Sequence, residues 1–153
     1  MTSLELKIPP PVVAAVFALG MWGISLVTPL LPMSATLRLA GCTPFVIASV
    51  FFSVAGIVSF RRARTTINPI RPETTSSLVS SGIFRITRNP MYVGLSLLLV
   101  AWAICLSSVW ALLGPVAFVL YIRRFQIAPE ERALAKLFGS HYTAYQARVR
   151  RWL

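Results

Sequence analysis

The chain has 153 residues, 56% of them hydrophobic and only 12% charged, about half the ~25% usual for globular domains. Its mean hydropathy is +0.73, yet 15 basic residues against four acidic ones give a net charge of +11. One domain's worth of sequence that is both greasy and basic excludes an ordinary soluble domain, and points to a membrane protein more than to a nucleic-acid binder.

The charges fall in blocks. Ahead of the first apolar run stand one basic residue, Lys7, and three prolines, Pro9, Pro10 and Pro11; the run itself is too long for a secretory h-region, so a cleaved signal peptide is not expected. No charge lies between Pro9 and Leu37, between Leu39 and Phe60, or between Asn89 and Ile122. A membrane-spanning helix needs ~20 mostly apolar residues, so the first two stretches hold one span each, near Pro11–Leu31 and Thr43–Phe60. The third has 34 residues, ~51 Å as one helix at ~1.5 Å per residue, too long for a bilayer core of ~30 Å. It predicts a helical hairpin turning near Ser107–Ser108, with arms Pro90–Leu106 and Val109–Ile122 and a kink at Gly114-Pro115 in the second. The expected fold is all-α and integral to the membrane, with four spans in one domain over 1–153: two spans in 1–60, a linker over 61–89, and the hairpin and tail over 90–153.

Basic residues outside the spans set orientation. Arg61, Arg62, Arg64, Arg71, Arg85 and Arg88 lie in the linker; Arg123, Arg124, Arg132, Lys136, Arg148, Arg150 and Arg151 lie in the tail; only Arg38 falls in the loop between the first two spans. Fourteen of 15 basic residues therefore share one side if both termini are cytoplasmic. The positive charge reads as topology, assisted by anionic lipid, and nucleic acid is not expected as a partner. Cys42 and Cys105, without a CxxC or a Cys/His cluster, read as packing residues. No metal site, phosphate loop or repeat is visible, and Ser96 and Ser107 lack the partners of a hydrolase triad.

Polar chemistry is confined to the linker and the tail, and folding the hairpin brings their inner ends to one membrane face. The linker carries Ser76, Ser77, Ser80, Ser81 and Gly82, then Arg88-Asn89-Pro90-Met91-Tyr92-Val93-Gly94. A structural reading covers much of this: Asn89 as N-cap, Pro90 as first helical residue, Tyr92 at headgroup level, Gly94 for close helix packing. In the tail, Pro129 with Glu130 and Glu131 reads as a helix start. Leu134, Leu137 and Phe138 make an apolar stripe, and Gly139 ends the helix. An amphipathic helix lying on the membrane is the simplest account of that stretch, although two adjacent acids beside a hairpin end can also receive a cationic or ribose-bearing ligand.

Taken together, Arg88 to Gly94, the hairpin, Glu130-Glu131 and Phe138-Gly139-Ser140-His141-Tyr142 resemble the isoprenylcysteine carboxyl methyltransferase superfamily, which includes phospholipid methyltransferases and small bacterial relatives. The resemblance covers about half the chain, from Leu78 to Trp152. It implies an integral-membrane methyltransferase of a bacterial inner membrane that uses S-adenosyl-L-methionine without a Rossmann domain, and acts on a lipophilic or prenylated acceptor without a metal. By the same resemblance Ser76, Ser77, Leu78, Val79 and Phe84 would line the adenosyl-binding wall. Asn89, Pro90, Met91 and Tyr92 would form the turn against the cofactor, and Glu130 its acidic contact. Asn89 stands where eukaryotic members commonly carry His. Gln126 stands where they carry a substrate-binding Arg, a role Arg123 is placed to take over. Glu130, Arg123 and Gln126 are thus the candidate catalytic residues.

Methyl transfer from a sulfonium is an in-line displacement in which alignment supplies much of the rate and exclusion of water strengthens the local electrostatics. His141 is a candidate general base, with an interfacial role favoured on position alone. A phospholipid amine or a small thiol is an alternative acceptor, and a non-catalytic scaffold an alternative fate of the fold. A small transporter is disfavoured because the spans carry no Asp, Glu, Lys or Arg.

Overall fold

The computed structural model describes residues 5–63 and 77–153; Arg64, Arg71 and Ser76, singled out above, lie outside the described residues. Those residues form five α-helices: α1 (Pro10–Val27), α2 (Ala35–Arg62), α3 (Pro90–Leu106), α4 (Leu113–Ile122) and α5 (Ala128–Arg148). Single 3-10 turns occupy Gly82–Arg85 and Trp110–Leu112, and a π-turn occupies Arg123–Ile127. Two helices, α1 and α2, and the continuous stretch from Trp110 to Arg148 are long and apolar enough to cross a membrane; α3, with 17 residues, is shorter. The protein is an all-α integral membrane protein.

Helix α1 stops at Val27, short of the expected Leu31, because Pro29 forces Thr28 into extended backbone at φ −118°, ψ 155°. Helix α2 starts well before Thr43. The Ser34 hydroxyl accepts the Leu37 N–H at 3.2 Å, an N-cap that nucleates the helix ahead of the apolar run. Arg38 is therefore not in a loop, as its charge suggested, but in the first turn of α2, where its Nε donates to the Met33 carbonyl at 3.2 Å. The hairpin turns where expected. Ser107 is buried in the left-handed conformation at φ 52°, and its carbonyl accepts the Leu31 N–H at 2.7 Å, joining the α1–α2 loop to the turn. At the other end of the bundle the Leu6 N–H reaches the Phe125 carbonyl at 3.1 Å and the Arg88 N–H reaches the Arg150 carbonyl at 3.0 Å. Residues near both ends of the chain thus share one face, here called the basic face, and the turns share the other.

Helix α3 is the centre of the bundle, packed on α1, α2 and α4. Its closest approach is at Gly94: a Cβ there would run into Ser53 Oγ and stand 2.9 Å from the Ser49 carbonyl. A backbone oxygen cannot step aside, so Gly94→Ala is expected to cost about 1–3 kcal/mol. Gly20→Ala, with nothing within 4 Å of the new atom, is expected to be neutral or to gain up to about 1 kcal/mol from helix propensity. Thermal unfolding in detergent checks the pair; equal melting shifts would refute this packing of α2 on α3. The core between α1, α3 and α4 is built from Met21, Leu99, Ala103, Phe118 and Ile122, with Phe17 edge-on to Phe118 at 6.0 Å. Cys42 and Cys105 are free thiols, Cys42 buried.

The second hairpin arm departs from expectation in three places. Its irregularity precedes Gly114-Pro115, as the 3-10 turn Trp110–Leu112; Pro115 then lies in the first turn of α4, where a missing N–H costs little. Second, the Pro129-Glu130-Glu131 segment is not a free helix start, because α4 runs through the π-turn straight into α5. The reason is local. Pro129 has no N–H to give the Phe125 carbonyl four residues back, the Ala128 N–H reaches instead to Arg123, and the Phe125 carbonyl takes the Leu6 N–H. Glu5, beside Leu6 and buried, is bound by Arg132 Nη2 at 2.8 Å, with Arg124 Nη1 at 3.9 Å. Third, Gly139 breaks α5, at φ 51°, ψ −125°, without ending it: the helix resumes to Arg148. Leu134 and Phe138 face a second apolar cluster with Val79, Ile83, Phe84, Tyr142 and Tyr145, so this side of α5 covers protein and not the lipid surface expected of it; Leu137 is exposed. The charge-free part of the arm ends where Arg123 and Arg124 begin.

Candidate functional site

The hairpin brings the Asn89 corner and the Glu130 segment into contact on the basic face. The Tyr92 hydroxyl, in the first turn of α3, donates to Glu130 Oε1 at 2.6 Å. Gln126 Nε2 donates to the same oxygen at 2.9 Å, one helical turn before it. Both bonds converge on Oε1. Tyr92 and Gln126 are buried, at 6% and 3% exposure, and Glu130 is part-buried between them. Burial pushes the Glu130 carboxyl up to about 7, against the bonds from Tyr92 and Gln126, which favour the ionised form.

The adjacent acid has a different task. Glu131 is held by Arg88 Nη2 at 3.0 Å and by Arg151 through Nε at 3.0 Å and Nη2 at 2.5 Å. It joins the linker corner to the last residues of the chain. That junction continues along the backbone. Thr87, fully buried, pairs with Arg150 in a short parallel bridge, and its hydroxyl donates to the Arg151 carbonyl at 3.2 Å. Asn89 Nδ2 donates to the same carbonyl at 2.9 Å. Asn89 therefore occupies the N-cap position of α3 but caps nothing with its side chain; the amide is drawn away by the tail. Tyr92, expected at headgroup level, is turned inward to Glu130.

The other candidate residues are distributed around this centre. Pro90 is buried as the first residue of α3, and Met91 packs with it against Gly56 of α2. Val79 and Phe84 are buried in the apolar cluster under α5, where Phe84 meets Phe60 edge-on at 5.2 Å. Leu78 borders that cluster, and the Ser77 hydroxyl lies 3.4 Å from the Ala63 carbonyl it donates to. Tyr145 donates its hydroxyl to the Phe84 carbonyl at 2.7 Å and, with burial pushing its phenol up to about 12, stays a neutral donor. Arg123 is exposed in the π-turn, and His141 is exposed on α5. Gln126, not Arg123, is the side chain that reaches Glu130. The contributions of Thr87, Arg88, Glu131 and Arg151 were not read from the sequence; the signal was the basic pair Arg150-Arg151 ahead of Trp152, which itself packs against the core. Among the described residues no group of three or more His, Cys, Asp or Glu is placed to hold a metal ion.

The model of the phospholipid methyltransferase family matches residues 36–141, a span that contains the Asn89 corner, the hairpin and Glu130. The chain belongs to the phospholipid methyltransferase family. Membership places it among membrane methyltransferases of the phospholipid and isoprenylcysteine type. Protein-S-isoprenylcysteine O-methyltransferase B of Arabidopsis thaliana is 30% identical over 112 residues, 71% of this chain and 55% of that protein, so the chain spans just over half of the plant enzyme's length. An uncharacterized protein of Haemophilus influenzae is 48% identical over 63 residues, 41% of this chain and all of that protein. No solved structure matches the chain.

Proposed function

We propose that this family member transfers a methyl group from S-adenosyl-L-methionine to a lipophilic acceptor that reaches the site from the bilayer. The observation that carries this reading is the pair of bonds from Tyr92 and Gln126 to Glu130 across the folded hairpin. S-adenosyl-L-methionine, when bound, supplies an electrophilic methyl on a sulfonium together with ammonium, carboxylate and ribose hydroxyl groups. The residues present suit these groups. Glu130 would take a cationic or hydroxyl group, and the buried Nε–H of Arg88, which meets no acceptor among the described residues, would be satisfied by a carboxylate. Tyr92 and Gln126 orient the Glu130 carboxylate so that it does not rotate toward solvent. Asn89 and Pro90 hold the corner against the tail, and Ser77, Leu78 and Val79 would border the adenosyl group. Burial of Phe84 against Phe60 suits it to supporting that wall from behind.

The acceptor read here is one like an isoprenylcysteine carboxylate, on the likeness to the plant enzyme. A phospholipid amine is the second reading, favoured by the family model and by Gln126 in the place of a substrate-binding Arg. The basic face is read as cytoplasmic on the distribution of Lys and Arg.

Calorimetry with S-adenosylhomocysteine on the detergent-purified chain tests cofactor use: binding is expected, and a folded sample that binds none refutes the proposal. The titration should depend on pH. With its folded value near 7, above the ordinary carboxylate range, the Glu130 carboxyl contributes stability below the unfolded value of about 4.3 that is lost as pH rises through 7. A ligand cation needs the ionised form, so affinity should weaken about tenfold per pH unit below 7, with proton release in the heat of binding. Glu130→Gln should flatten that profile.

A further inference from the structure

Beside this site the basic face carries a second concavity, of about 420 Å³, between the linker turn and the end of α5. It is lined by Ser80, Arg85, Tyr145, Arg148 and Val149. Both charged walls are cationic, and among the described residues no acid lines it. The described carboxylates are engaged elsewhere: Glu5 with Arg132 and Arg124, Glu131 with Arg88 and Arg151, and Glu130 with Tyr92 and Gln126. Arg85 and Arg148 are exposed, and among the described residues neither forms an ion pair. Arg148 spends its Nε–H on the Ala144 carbonyl of its own helix, which leaves the two terminal nitrogens of its fork to a ligand. The Tyr145 hydroxyl is committed to Phe84, fixing the cleft floor. Two guanidinium groups sharing one cleft repel each other unless an anion lies between them.

The depth of the cleft narrows the choice of anion. Gly82, at φ 61°, opens the turn that leads to Arg85, and a Cβ on it would stand 2.8 Å from Ser59 Oγ, in the last turn of α2. The cleft thus lies beside the last turn of α2, the end that carries Arg61 and Arg62, where basic residues flank an apolar helix as they do at a membrane surface. The cleft offers two guanidinium groups among its lining residues, and the planar fork of Arg suits it to phosphate.

We propose that this cleft binds a phosphate ester, with Arg85 and Arg148 donating to its oxygens and the Ser80 hydroxyl as a third donor. The occupant is a lipid headgroup or a water-soluble phosphate ester, and the site does not depend on the methyl-transfer reading. The test uses the detergent-purified full chain without any adenosyl ligand, and reads binding by thermal shift. The probes are short-chain phosphatidylglycerol, glycerol 3-phosphate and a short-chain diacylglycerol without phosphate. Phosphatidylglycerol is expected to bind and the diacylglycerol not, with the Arg85→Gln/Arg148→Gln pair weakening binding about tenfold or more. Binding of glycerol 3-phosphate at equal strength, lost in the same variant, supports the site with a soluble occupant. The exposed pair Arg61→Gln/Lys136→Gln removes the same charge and is expected to bind like the parent. The proposal is overturned if neither phosphate compound binds, if the diacylglycerol binds as well, or if the two double variants behave alike. Unliganded melting temperatures equal to the parent's are expected for both variants, since all four side chains are exposed.

Discussion

Glu130→Ala is expected to weaken S-adenosylhomocysteine binding on the order of 10- to 100-fold while lowering the melting temperature less than Glu131→Ala does. A hydrogen bond to a charged group is worth about 1.5–3 kcal/mol, the scale expected for a ligand group held by the Glu130 carboxylate. Tyr92 and Gln126 are buried and lose their acceptor, at about 1–3 kcal/mol each, partly offset because burial disfavours the Glu130 carboxylate. Glu131→Ala should give the reverse pattern. That carboxylate, with its side chain 12% exposed, holds Arg88 and Arg151 together, and its removal leaves the largely buried Arg88 charge unpaired, at a cost of about 2–3 kcal/mol. Cofactor affinity should then fall only to the extent that the corner loosens. Calorimetry and thermal unfolding on both variants separate the two roles; equal losses of affinity would refute the assignment of Glu130.

The second large effect is expected from removing Arg150, Arg151, Trp152 and Leu153. These four residues supply the acceptor for the Arg88 N–H, the single carbonyl shared by Thr87 and Asn89, the partner of Glu131, and an aromatic ring against the core. Each buried donor left unsatisfied costs about 1–3 kcal/mol, and several together approach the ~5–15 kcal/mol that holds a whole domain. The shortened chain should melt far lower and bind no S-adenosylhomocysteine. Asn89→Ala, which deletes one of these bonds, should cost only about 1 kcal/mol. A shortened chain that melts like the parent would show that the tail is dispensable.

Much of this architecture is legible in the sequence because the bilayer writes it in coarse terms. Charge-free runs mark the spans, an overlong one marks a hairpin, and the Ser107–Ser108 turn falls where bilayer thickness requires it. The meeting of Tyr92 with Glu130 follows from that hairpin. Boundaries set by side-chain chemistry are less visible: Arg38 looks like a loop residue until Ser34 is seen to cap the helix beneath it. Pro129 looks like a helix start because proline usually is one there; its other effect, freeing the Phe125 carbonyl for Leu6, needs a partner more than a hundred residues away. The return of Arg150 and Arg151 to Thr87 and Asn89 leaves no periodic trace, since one bridge and three hydrogen bonds carry no repeating pattern. Glu130 and Glu131, neighbours of like type, are told apart only by what surrounds them.

The stitch between the Asn89 corner and the tail also dictates an order of events during synthesis. Asn89 and the carbonyl it binds are 62 residues apart, and the second of them is made after all five described helices. A nascent chain can insert its spans and fold its hairpin as they emerge, since those contacts are local or already translated. The corner cannot close until the segment carrying Arg150 and Arg151 has emerged, so the competent pocket forms after the hairpin has inserted and not together with it.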